Sequence, residues 1–383
     1  MALHFTEQEF ARRQTALKQA MASEGLDGML LFRQESSYWL TGYDTFGYVF
    51  FQVLVVTADG RMTLLTRAPD LRQAQNTSVI GDIRVWVDRA GSTPHQELLP
   101  ILDELGLTGG RLGVEYEAYG MTGRSALALG AALEGVVRLE DQSELISRLR
   151  VIKSAEELVF VRRAAELADD ALAAAMPLIS EGGDEGEILA AMQGAILAGG
   201  GDYPGNEFII GSGPDALLCR YFSGRRRLDA EDQLTLEWAG AYRHYHAAMM
   251  RTIPVGKARP AHQAMHDACR AALAACEESL VPGKTVGGVF DAHARVMDGH
   301  GFKAARMNAC GYSMGAAFSP SWMDWPMFYH GNPVVLEAGM TYFLHMILMD
   351  SDSNTAMSIG ESYCVTETGC ERLGSSSLDL TVC

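Results

Sequence analysis

Near residue 150 the hydropathy pattern of this chain changes character, and that change limits the fold more than any single motif does. Before it, helical and extended patterns alternate. FTEQEFARRQTALKQAMASEG predicts an amphipathic helix capped at Thr6 and ended at Gly25, DGMLLF and VFFQVLVVT predict strands, and ADGRMTLLT an Asp-Gly turn into a third. LLPILDELGL and GRSALALGAAL are helical again, with the extended RLGVEY between them. Helix and strand in alternation predict an α/β domain over residues 1–150. After the change, RLRVIKSAEELVFVRRAAELADDALAAAMPLI runs on as one long helix opened by a capping box, Ser154 with Glu157. Further helical blocks then group around the strand-like NEFIIGSG, QLTLEWAGAYRHYHAAMMRTI, MTYFLHMILM and SIGESYCVTETG. Long helices around antiparallel hairpins predict an α+β domain over residues 151–383.

A chain of 383 residues exceeds what one core usually organises, which agrees with two domains. Its 31 Lys plus Arg against 48 Asp plus Glu give a net charge of −17, a field that repels phosphate backbones and anionic membranes, so no nucleic-acid partner is expected. No apolar run reaches the roughly 18 to 20 residues that a membrane span requires. The opening MALHFTEQEFARRQ lacks an apolar h-region, and the expected location is the cytoplasm. Seven cysteines, odd in number and without a CxxC pair, predict reduced, mostly buried thiols rather than a disulfide framework or a zinc ribbon.

The stretch from Glu237 to Thr252 says most about chemistry. Two extended runs flank AGAY, which reads as a hairpin, and alternation puts His244, His246, Ala248 and Met250 on one face of its second strand. Glu237 and His246 are then expected to share a cavity. A partly exposed strand with a solvated edge glutamate has the same spacing, so the pattern alone leaves both readings open.

At this point the chain resembles a known family. RVIKSAEELVFVRRAAELAD, GSGPDALLCRYF, MMRTIPVG, ACGYSMG, LEAGMTYFLHM and ESYCVTETGCERL follow the order of the landmarks of the pita-bread fold, peptidase family M24. GLDGMLLF, SSYWLTGYDTF and RLGVEY resemble the creatinase/prolidase N-terminal domain. The resemblance implies a pita-bread catalytic domain over 151–383 behind a creatinase/prolidase-like domain over 1–150, acting as a homodimer on a small-molecule substrate. Peptidases of this family hold two divalent metals with two Asp, one His and two Glu. In this sequence the corresponding places hold Glu237, Ala248, Tyr312, His345 and Gly360, with Glu361 one residue after the last. Alanine and tyrosine do not replace carboxylate and imidazole in a hard-cation site, so neither a metal nor another cofactor is expected.

The motifs are most similar to the branch of the family that holds ectoine hydrolase, with creatinase more distant because Arg220 stands where creatinase carries a His. The implied function is metal-independent hydrolysis of a non-peptide C–N bond (amide, cyclic amidine or guanidino) in a small zwitterion. In that reading Glu237 activates water, His246, His345 and Tyr312 supply proton transfer and hydrogen bonds, and Arg220 binds a substrate carboxylate. Trp322 walls the pocket, Glu361 reaches it only if a bulge corrects its one-residue offset, and Asp44 and Phe46 contact the partner subunit's site. A Xaa-Pro peptidase and a non-catalytic small-ligand binder are the alternatives.

Overall fold

The computed structural model describes residues 3–91, 93–220 and 225–383. Tyr221 and Phe222 of the GSGPDALLCRYF stretch lie outside the described residues. The chain divides into two compact units, Met1–Arg150 and Val151–Cys383.

The first unit is built on a six-stranded sheet of β1 (Gly28–Leu31), β2 (Val53–Thr57), β3 (Met62–Arg67), β4 (Asp82–Trp86), β5 (Arg111–Val114) and β6 (Arg138–Asp141), in the order β4-β3-β2-β1-β5-β6. The pairs β1–β2 and β2–β3 are antiparallel and the others parallel, the mixture that alternating helices and strands produce. Local chemistry sets the ends of its first helix, Glu7–Glu24. The Thr6 side chain accepts the Glu9 N–H, and Gly25 leaves the helix at φ 66°, where a side chain would be strained.

The second unit carries an eight-stranded sheet: β7 (Ile209–Ser212), β8 (Asp232–Tyr242), β9 (Tyr245–Val255), β10 (Gly311–Ser313), β11 (Asp324–Met327), β12 (Thr341–Asp350), β13 (Thr355–Val365) and β14 (Cys370–Arg372). The order is β11-β10-β12-β13-β9-β8-β7, with β14 paired to β13, and these strand pairs are antiparallel. The helix Ala155–Ala175 starts at the Ser154–Glu157 capping box read from the sequence. It packs on β8, where Trp238 Nε1 donates to the Ala168 carbonyl at 2.9 Å. Gly240 permits this approach, since a Cβ there would fall 1.9 Å from the Ala164 oxygen. The helix Pro260–Ser279 lies over β12 and β13 on the same side, with Cys269 Sγ against the Met346 carbonyl and Tyr363 Oη donating to Glu277. The opposite side of the sheet carries the pocket described below.

The hairpin differs from its sequence reading in one respect. Ala239 to Tyr242 complete β8, and the turn is Arg243–His244, whose φ values of 49° and 64° are those of a two-residue hairpin turn. His244 therefore sits in the turn and not on the strand. All seven cysteines are free thiols, with Cys269, Cys276, Cys310 and Cys364 buried. Among the described residues no helix is long and apolar enough to cross a membrane.

Candidate active site

Sheet register assembles the site. Glu237 pairs with Met250, Met250 shares its level with Gly360, and Gly360 pairs with His345, so all four side-chain positions face one way. Tyr312 joins them through its pairing with Phe343, two residues before His345 on β12. These residues open on a cavity of about 250 Å³ whose lining includes Arg220, Glu237, Tyr312, Trp322 and His345. Cys219, Asn206 and three methionines, Met307, Met323 and Met327, complete much of the wall.

Glu237 is half-buried in the cavity wall. Burial pushes its carboxyl up to about 7, against the Tyr312 hydrogen bond and the Arg220 charge, which pull it down. Tyr312 Oη donates to Glu237 Oε1 at 3.1 Å, and Trp322 Nε1 donates to Tyr312 Oη at 2.8 Å. The Tyr312 phenol is itself held well above its ordinary range, first by burial and then by the Glu237 charge, so it stays a donor. Burial pushes the His345 imidazole down to about 4, with Arg220 adding to the effect. The imidazole is then neutral at physiological pH, with one ring nitrogen that donates and one that accepts.

Two other expected residues stand elsewhere. His246 is on the Glu237 face but opposite Ala241, four residues along β8. It is fully buried, its Nε2 accepts the Gly205 N–H at 2.8 Å, and its ring centre is 6.5 Å from that of Trp322, so it does not reach the cavity. Burial pushes it down to about 4. Glu361 pairs with Leu344 in regular register without a bulge, which turns it to the other face of the sheet, where it forms a buried ion pair with Arg251. Asp44 and Phe46 belong to the first unit. The Asp44 N–H donates to Thr77 Oγ1, and Phe46 is 75% exposed.

The places that hold metal in the peptidases were tested against these residues. Ala248 offers no donor, and a Cβ on Gly360 would lie 2.5 Å from the Phe343 ring, so that ring fills the space a glutamate there would need. Only Glu237 and His345 remain as ordinary ligands, and among the described residues no group of three or more His, Cys, Asp or Glu is arranged to hold a metal ion. The donor set does not fit a dinuclear centre.

The methionine wall, Cys219 and Asn206 escaped sequence reasoning. Their segments meet only in the folded chain, and the adjacency of Cys219 to Arg220 was the one local signal.

The two units, each on its own sheet, agree with what comparison with known proteins finds. Residues 160–367 match metallopeptidase family M24 and residues 13–152 the creatinase/prolidase N-terminal domain. The chain belongs to family M24 and is a hydrolase of that family. Among its relatives are an uncharacterized hydrolase/peptidase of Sinorhizobium fredii, 27% identical with 99% of each chain covered, and the ectoine hydrolase of Halomonas elongata, 25% identical over 97% of each. A prolidase from Thermococcus sibiricus has the same fold, with a TM-score of 0.88, 19% identity and coverage of 98% of this chain and 99% of that one.

Proposed function

We propose that the protein is a metal-independent hydrolase of a non-peptide C–N bond in a small carboxylate-bearing compound, an amide, cyclic amidine or guanidino acid. The observation that carries this reading is the Glu237 carboxyl, poised near neutrality in a cavity whose neighbouring metal-ligand places hold alanine, tyrosine and glycine. A carboxyl with a pKa near 7 exchanges its proton readily in both directions. Glu237 takes a proton from water as the water oxygen bonds to the substrate carbon. The same proton then passes to the leaving nitrogen as the C–N bond breaks. Tyr312 donates a hydrogen bond at this centre, His345 accepts one from a substrate N–H, and Arg220 binds the carboxylate. The similarity to ectoine hydrolase supports a cyclic amidine as the first substrate to try.

Purified protein is incubated with ectoine, with creatine-like guanidino acids and with Xaa-Pro dipeptides, with and without chelator, and the products are read by mass spectrometry. Turnover of an amidine or guanidino acid that survives chelation is the expected result. Xaa-Pro cleavage abolished by chelation and restored by manganese would sink the proposal in favour of a peptidase. Binding without turnover of any of them would favour a small-ligand binder. We also propose a homodimer, to be checked by sedimentation at micromolar concentration.

A further inference from the structure

Three hydrogen bonds in series end on the Glu237 carboxyl. Asn206 Oδ1 accepts the backbone N–H of Trp322 at 3.1 Å, Trp322 Nε1–H donates to Tyr312 Oη at 2.8 Å, and Tyr312 O–H donates to Glu237 Oε1 at 3.1 Å. Direction matters here. An indole N–H can only donate, whereas a phenol oxygen both donates and accepts. With its acceptor side met by Trp322, the phenol has one hydrogen to place, and Glu237 receives it. One carboxylate oxygen is thereby engaged and the other is left for water or substrate.

The segment behind Trp322 is also held. The Gly205 N–H donates to His246 Nε2 at 2.8 Å, and Gly205 passes so close to the Ser321–Trp322 backbone that a Cβ would fall 2.9 Å from it. His246, fully buried and behind the cavity wall, is a fixed acceptor with no access to the reacting atoms.

We propose that Trp322 is a positioning residue whose indole N–H turns the Tyr312 hydroxyl toward Glu237, and that His246 anchors the Gly205–Asn206 segment that holds the Trp322 backbone. This rests on the assignment of Glu237 as the proton-exchanging group. Without the indole N–H the phenol is free to rotate, accept a hydrogen from a protonated Glu237 and so favour its neutral form. Around Glu237 the titratable groups are Cys219 and Arg220 from the segment after β7, Tyr312 from β10 and His345 from β12. Arg220 is the charged member and is left in place throughout.

The test reads the Glu237 proton directly and needs no substrate. Protein labelled at the glutamate carboxyl carbons with carbon-13 is titrated by NMR, and the Glu237 signal is assigned by its loss in Glu237→Gln. Trp322→Phe keeps an aromatic wall without the N–H. Replacement of Trp322 by benzothienylalanine keeps the volume as well, and serves if the phenylalanine variant fails to fold. Both, and Tyr312→Phe, are expected to raise the midpoint by roughly one unit, the size of one lost hydrogen bond to a carboxylate. His246→Leu should move it the same way by less, and no movement would remove His246 from the chain. A midpoint raised by Tyr312→Phe but untouched in the benzothienylalanine protein would overturn the role of Trp322 while leaving Glu237 as the base. A wild-type midpoint in the ordinary carboxylate range would overturn the functional reading and this inference with it.

Discussion

Two glutamates stand on the strands either side of β9, and burial pushes both carboxyls upward, yet the fold uses them oppositely. Glu361 on β13 faces away from the cavity and has a guanidinium in contact, Arg251 of β9, which also donates to the Gly360 carbonyl at 2.9 Å. Glu237 on β8 faces the cavity and, among the described residues, its hydrogen-bond partner is the Tyr312 phenol, while the Arg220 charge acts on it without a direct ion pair. A matched cation in contact makes a carboxylate part of the structure. A carboxylate opposed only by a phenol keeps a proton that it can exchange. Burial raises both carboxyls, and the presence or absence of a contacting counter-charge is what separates them.

The largest effect should come from the unmatched carboxyl. Glu237→Gln preserves shape but removes the proposed base, and kcat measured on the compound found in the substrate panel should fall by about 10²–10⁴-fold. An undiminished rate would move the role to another group. On the matched side, Arg251→Met strands a buried carboxylate and should cost about 3–5 kcal/mol in a urea melt. A loss below about 1 kcal/mol would mean that Glu361 is neutral and the pair is not structural.

The same contrast predicts a pH-dependent stability difference. Folding raises the Glu237 pKa from 4.5 to about 7, so its contribution to stability is full in acid and is lost as pH rises through about 7. Glu237→Gln should therefore be more stable than wild type at pH 8, by up to about 3 kcal/mol, with the advantage shrinking toward pH 5. Melting curves at the two pH values check the sign. Next in size, Arg220→Met should raise KM by about 10–100-fold with a smaller change in kcat, because the proposed charged hydrogen bond to a substrate carboxylate is lost. The smallest effect belongs to the N-terminal cap of the helix Ala155–Ala175. Ser154→Ala removes one half of the capping box and should cost about 1 kcal/mol of stability with catalysis unchanged.

Much of the frame was legible because it is local. Thr6, Gly25 and the Ser154–Glu157 box mark helix ends through contacts within a few residues, and the structure has each of them. The change near residue 150, the succession of strands and the landmark order that points to family M24 are likewise written along the chain. Strand alternation was enough to set Ala248 and Met250 on one face with His246, and to mark the one-residue offset between Gly360 and Glu361 as critical.

What needed the folded molecule was everything that depends on distance across the sheet or on the exclusion of water. Alternation states which face a residue takes and not how far along it stands, so His246 shared a face with Glu237 while its lone pair went to Gly205. The regular β12–β13 register turned Glu361 away, where a bulge would have turned it in. The hairpin turn settled on Arg243–His244 because those two residues take positive φ, which no periodicity records. Glu237, Tyr312 and Trp322 lie in three separate segments, and only packing joins them into one hydrogen-bonded series. By itself the sequence determined the residue types and the family; the tertiary structure decided which carboxylate faces the cavity and which meets a guanidinium, because desolvation and the choice of contact partner are properties of the folded space and not of the chain.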